Sequence, residues 1–157
     1  TNQPQKAIDQ AKALLTTENV DQDQMIKAHY IIAKSYLEQN KMNQALREFE
    51  ITDKLTNDEL GAESKFMVAL ITYKSNNLDQ AENLVYELSE NYSAYGYWVA
   101  KGFILLADIY YARDNIFQAR QTLQSVIDNY QGQDLREEAQ GKLDRMAPLP
   151  EDNENEN

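Results

Sequence analysis

The sequence predicts an all-helical fold, a solenoid of antiparallel helix pairs, and three observations carry that expectation. Proline stands only at positions 4, 148 and 150, so the long stretch between them lacks the strongest helix breaker. No Asn-Gly or Asp-Gly turn separates alternating apolar runs, which removes the usual hairpin signal. A single pattern also recurs: the segment from Ala33 to Ala45 is echoed at Ala69 to Ala81 and at Ala107 to Ala119, offset by 36 and then 38 residues. Each copy sets its two alanines twelve residues apart, breaks the middle with short polar residues and closes on Gln-Ala. Gly61, Gly96 and Gly132 fall near the junctions at spacings of 35 and 36.

Taken in chain order, residues 4–17 open with Pro4 at a first helical position and carry the stripe Ala7-Ala11-Leu14. They read as the second helix of a preceding or partial repeat. Repeat 1 spans 22–57, repeat 2 spans 58–95 and repeat 3 spans 96–132. The first helix of each carries apolar residues at helical spacing, as in Ile32, Ala33 and Tyr36, or Phe103, Leu106, Ala107 and Tyr110. It stops at Asn40-Lys41, Asn76-Asn77 or Asp114-Asn115, whose short polar side chains are expected to cap the helix that follows. The second helices then bury Ala45-Phe49-Thr52, Ala81-Val85-Leu88 and Ala119-Leu123-Val126. Paired alanines allow close backbone approach, so a larger residue there is expected to overpack the contact.

Residues 133–147 read as a single capping helix. Asp134 and Glu137 have the spacing of a capping box. Leu135, Ala139, Leu143 and Met146 form its apolar stripe, with Arg136, Glu138, Lys142 and Arg145 expected to face outward. Such a helix closes the open end of a repeat array. Beyond it, residues 148–157 read as a disordered acidic tail.

These features resemble the tetratricopeptide repeat, a helix-turn-helix unit of about 34 residues with a small-residue and aromatic signature. On that pattern the small residue of the first helix is Ala33, Ala69 and Ala107, and the aromatic three residues later is Tyr36 and Tyr110, with Thr72 departing. The alanine of the second helix is Ala45, Ala81 and Ala119. The earlier aromatic survives only as Phe103, replaced by His29 and Lys65 in the other copies, and the terminal proline is missing throughout. The resemblance implies a right-handed superhelix of three full repeats plus a leading and a capping helix. Glu-Asn-Tyr at 90–92 and Asp-Asn-Tyr at 128–130 resemble the Tyr-Pro endings of bacterial cell-envelope repeat proteins, with Ser93 and Gln131 in place of proline. That suggests a periplasmic setting and leaves the compartment open, since a signal or anchor upstream of Thr1 would lie outside this chain.

Composition narrows the function. Fifteen Lys and Arg against 26 Asp and Glu give a net charge of −11, which argues against nucleic acid and anionic membrane surfaces. No cysteine is present, so disulfides, thiolate metal sites and cysteine nucleophiles are excluded. No apolar run approaches the roughly 18 residues of a membrane span. No phosphate loop or complete calcium loop is found, and His29, the sole histidine, has no nucleophile or acid arranged around it in sequence. The expectation is a protein without catalytic residues, metal or cofactor.

What remains is recognition. By the family's register the leading helices line a concave face, where Tyr30, Lys34, Phe66, Leu70, Tyr73, Lys101, Ile104, Asp108 and Tyr111 form an aromatic and apolar stripe with charges at its rim. Such a stripe suits a peptide or helix from a protein partner, although the same residues could instead pack on neighbouring repeats. The Lys, Asn and Arg set with which co-chaperone members grip a terminal carboxylate is absent, because only Lys101 fits it. Tyr95, Tyr97 and Trp98, next to Tyr92, form either a second surface or a staple between repeats 2 and 3. A protein-interaction or scaffold module is the expected function; homo-oligomerisation or spacing within a larger assembly is the alternative.

Overall fold

The computed structural model describes residues 3–146, and these form eight helices and no strand. The helices are α1 (Gln3–Leu15), α2 (Gln22–Glu38), α3 (Met42–Leu55), α4 (Glu59–Lys74), α5 (Leu78–Asn91), α6 (Gly96–Ala112), α7 (Ile116–Asn129) and α8 (Gln133–Arg145). The acidic tail anticipated at 148–157 lies outside the described residues.

Each helix packs on its chain neighbours, as short connections between antiparallel helices require. In addition α4 packs on α6 and α6 on α8, while α3, α5 and α7 make no comparable contact with one another. Close packing along one row and separation along the other bends the array, with α4, α6 and α8 on its inner side. The helix α4 sits deepest. Ala62, Phe66, Val68, Ala69, Ile71 and Thr72 are all buried, so little of its circumference is left for a polar face.

The six repeated alanines, Ala33, Ala45, Ala69, Ala81, Ala107 and Ala119, are each 0% exposed. A methyl group is all that fits between paired helices at those points. Larger residues stack on either side, with Phe49, Ile32 and Ile71 in one cluster, Val85, Leu88 and Ile109 in the next, and Leu123 and Leu135 in the last. Burying each of these large side chains stabilises the fold by about 1.5–3 kcal/mol.

The turns within the repeats depart from the sequence expectation. Asn40, Asn76 and Asp114 adopt φ of 57°, 60° and 59°, the left-handed region that Asn and Asp tolerate best among residues with a side chain. They terminate the preceding helix instead of capping the next one. In each turn two amides return to the helix end: Asn40 N to the Leu37 carbonyl at 2.9 Å and Lys41 N to that of Tyr36 at 2.8 Å, with matching bonds at Asn76-Asn77 and Asp114-Asn115. This is the Schellman arrangement, repeated three times. Only Asn115 also caps the following helix, its side chain accepting from Gln118 N.

Two other caps are redistributed. The capping box expected from Asp134 and Glu137 does not form, because α8 starts at Gln133 and its N-cap is Gly132. Asp134 lies inside the first turn, where its charge still suits the helix dipole. A complete capping box occurs instead on α2, where the Asp21 carboxylate accepts from Gln24 N and the Gln24 side chain accepts from Asp21 N. Gly61, in the first turn of α4, is required by close approach: a Cβ there would lie 2.3 Å from the Thr56 carbonyl and 2.8 Å from the Tyr92 hydroxyl.

Two substitutions test this account by thermal or urea unfolding. Ala69→Leu should lose about 1–3 kcal/mol, because the site cannot expand without moving a helix. Asn76→Ile should cost about 1–2 kcal/mol and Asn76→Gly very little, since only the former opposes a left-handed backbone.

Candidate functional site

The inner face presented by α2, α4 and α6 holds the residues expected to bind a partner, and many of them are already engaged within the chain. Tyr30 is half-buried, its ring edge-on to Phe49 at 6.3 Å. Burial, and then its hydrogen bond to the Glu63 carboxylate, push its pKa well above the ordinary phenol value. Lys34 lies over the Tyr30 ring at 5.8 Å and pairs with Glu63 at 3.0 Å, which ties α2 to α4. Phe66 is buried against Trp98 at 5.7 Å, and Lys101 covers its ring at 5.8 Å. Ile104, only 3% exposed, belongs to the core.

The far end of the face is closed by α8. Lys101 reaches Glu138 at 3.4 Å, and both oxygens of Asp108 accept from Lys142 at 2.7 and 2.8 Å. Glu138 and Lys142 were expected to face solvent; they turn back because α6 presents the opposite charges in register. Leu135 and Ala139 are buried beneath them as the apolar stripe anticipated. What stays open on the face is Leu70 and Tyr73, both half-buried, with Tyr111 at 48% exposure.

The aromatic junction divides in two. Tyr95 and Trp98 pack on the cluster formed by α4, α5 and α6, whereas Tyr97 is 40% exposed and meets the Trp98 ring edge-on at 5.0 Å. Tyr92 is buried, and its hydroxyl donates to the Asp53 carboxylate at 2.7 Å.

Sequence reasoning missed the polar network around Tyr92. Lys65 Nζ, almost fully buried on α4, meets Asp53 at 2.9 Å and Glu87 at 2.8 Å, linking α3, α4 and α5. Burial lowers the Lys65 pKa, but its bonds to Glu87 and Asp53 outweigh that and raise it overall. The available signal was the departure from the aromatic pattern at Lys65 and His29. His29 occupies the same place on α2 and pairs with Glu48 at 2.7 Å through Nδ1. Arg113 makes a similar link, bridging Asp79 and Glu82 from the end of α6.

Among the described residues no cluster of His, Cys, Asp or Glu could hold a metal ion, and no helix is long and apolar enough to cross a membrane. Helix hairpins stacked in register, joined by a repeated turn and lacking a converging set of reactive groups, define a helical-repeat protein. A tetratricopeptide-repeat family model matches residues 103–132, the third hairpin. Together with the all-helical array, that match makes the chain a tetratricopeptide-repeat protein. No curated protein matches it. Repeats of this family typically mediate protein–protein interaction or act as scaffolds, and they are typically non-catalytic.

The Tyr92 network makes stability fall in alkali. Burial, then the bond to Asp53, raise the Tyr92 pKa above its ordinary 10.0, and Tyr110 is raised by burial and by its bond to Tyr86. The folded chain therefore holds these protons more tightly than the unfolded one. Their contribution is complete below about pH 10 and declines as pH rises through the folded values. Tyr92→Phe should cost about 1 kcal/mol at neutral pH and shrink the alkaline decline, measured by urea unfolding from about pH 7 to about pH 11.

Proposed function

We propose that this chain is a non-catalytic interaction module that takes a peptide or helix from a protein partner on the inner face of α2, α4 and α6. The observation that supports this reading most directly is the surviving aromatic and apolar strip, Leu70, Tyr73 and Tyr111, beside a face whose charges are already paired. Lys34, Lys101 and Asp108 hold the face together, so they position the strip and are not free to recognise an opposite charge. Affinity would then come from apolar anchors, as in other interfaces centred on aromatic residues. The net charge of −11 gives the partner no required sign, because the paired residues leave the inner face close to neutral.

Selection of displayed peptides against the folded chain tests this reading. Selected peptides should be rich in apolar anchors, and Tyr73→Ala should weaken them by about 2 kcal/mol, near thirtyfold, at unchanged melting temperature. Binders unaffected by Tyr73→Ala and by Tyr111→Ala would exclude the inner face as the site.

A further inference from the structure

Comparing repeats 2 and 3 position by position reveals a vacant slot on the outer side of the array. Tyr92 and Tyr130 both follow a second helix, each eleven residues after its alanine, Ala81 or Ala119. Gly61 and Val99 likewise each stand eight residues before Ala69 or Ala107. In repeat 2 the Tyr92 ring lies directly over Gly61, its Cε1 3.0 Å from where a Cβ would sit, and the Lys65–Glu87 ion pair fills the space beside it.

In repeat 3 every part of that filling is changed. Val99 replaces the glycine, so its side chain occupies ground that Tyr92 covers in repeat 2. Tyr130 turns the other way and lays its ring over Gly132. Phe103 and Ser125 replace the ion pair. The result is a cleft of about 210 Å³ between α6 and α7, lined by Gly96, Val99, Ala100, Phe103, Val126 and Asn129, with Ser125 and Tyr130 at its edge.

We propose that this cleft binds one aromatic side chain of a partner protein, a tyrosine or phenylalanine. The size fits, since an apolar cavity of about 150 Å³ already accepts benzene. The chemistry fits as well. No charged residue lines the cleft, so a neutral ring enters without stranding a charge, and Ser125 and Asn129 offer polar contacts to a phenol. Repeat 2 shows the occupant, a tyrosine ring held between the same two helical positions. This site lies on the opposite side of α6 from the inner face and does not depend on that face binding anything.

The probe is N-acetyltyrosinamide, titrated into the isotopically labelled chain while backbone amide shifts are followed by NMR. Saturable shifts should appear at Gly96, Ala100, Ser125 and Asn129, with the millimolar affinity expected of so small a ligand. N-acetylleucinamide should bind about tenfold more weakly or less. Val99→Phe, which fills the cleft, should abolish the shifts; Ser125→Phe, at an exposed helical position, serves if the first variant does not fold. Absence of saturation, equal binding of the leucine probe, or shifts that persist in a folded filled variant would each overturn the proposal. So would shifts of these amides with protein concentration alone, which would assign the cleft to a second copy.

Discussion

Close approach of paired helices at six alanines is the constraint on which the rest of this structure rests. At 0% exposure, Ala33, Ala45, Ala69, Ala81, Ala107 and Ala119 leave no room for a further carbon. The two helices of each hairpin are thereby held at one separation, three times over. Connections of a few residues must then reverse the chain within that separation, and the left-handed Asn40, Asn76 and Asp114 accomplish it. The turn and the alanine pair form one device: relaxing either would let the hairpins open and lose register with their neighbours.

Register in turn decides which charges meet. Because successive leading helices lie side by side, Lys34 meets Glu63, Lys101 meets Glu138 and Asp108 meets Lys142. These part-exposed pairs each contribute little to stability, about 0–1 kcal/mol. Their consequence is for function, since they consume the polar groups that a partner would otherwise read. The inner face is left with an apolar strip, and α8 sets where that strip ends. The buried Lys65 behaves differently. With Asp53, Glu87 and the Tyr92 hydroxyl around it, it joins three helices at the centre of the array, where removing one partner would strand a buried charge.

Much of the fold is legible in the sequence because helical repeats are local. A hairpin's length, its alanines, its apolar stripes and its breaks all lie within a few dozen residues, and repetition confirms the reading. The capping arrangements were less legible. Asp134-x-x-Glu137 and Asp21-x-x-Gln24 both have plausible spacing, yet only the latter forms a box, since the helix starts are decided by the preceding turns. At the turns themselves Asn and Asp serve either as a helix cap or as a left-handed stop, and the residue type alone does not distinguish the two. The inner face shows the same limit. Phe66 and Ile104 share the helical spacing of Tyr73 and Tyr111, but packing against Trp98 and the neighbouring helices buries the first two.

By itself the sequence determined the class of fold, the number and order of hairpins, and the small residues on which they close. Composition and spacing suffice there, because the interactions concerned run along one helix or across one hairpin. Tertiary structure alone decided which side chains remain available. Lys101 and Asp108 are occupied by a helix more than 30 residues away, and Tyr130 leaves the slot that Tyr92 fills because Val99 stands where Gly61 does. Those outcomes depend on pairings between repeats, where one added methyl group or one opposite charge changes what can fit.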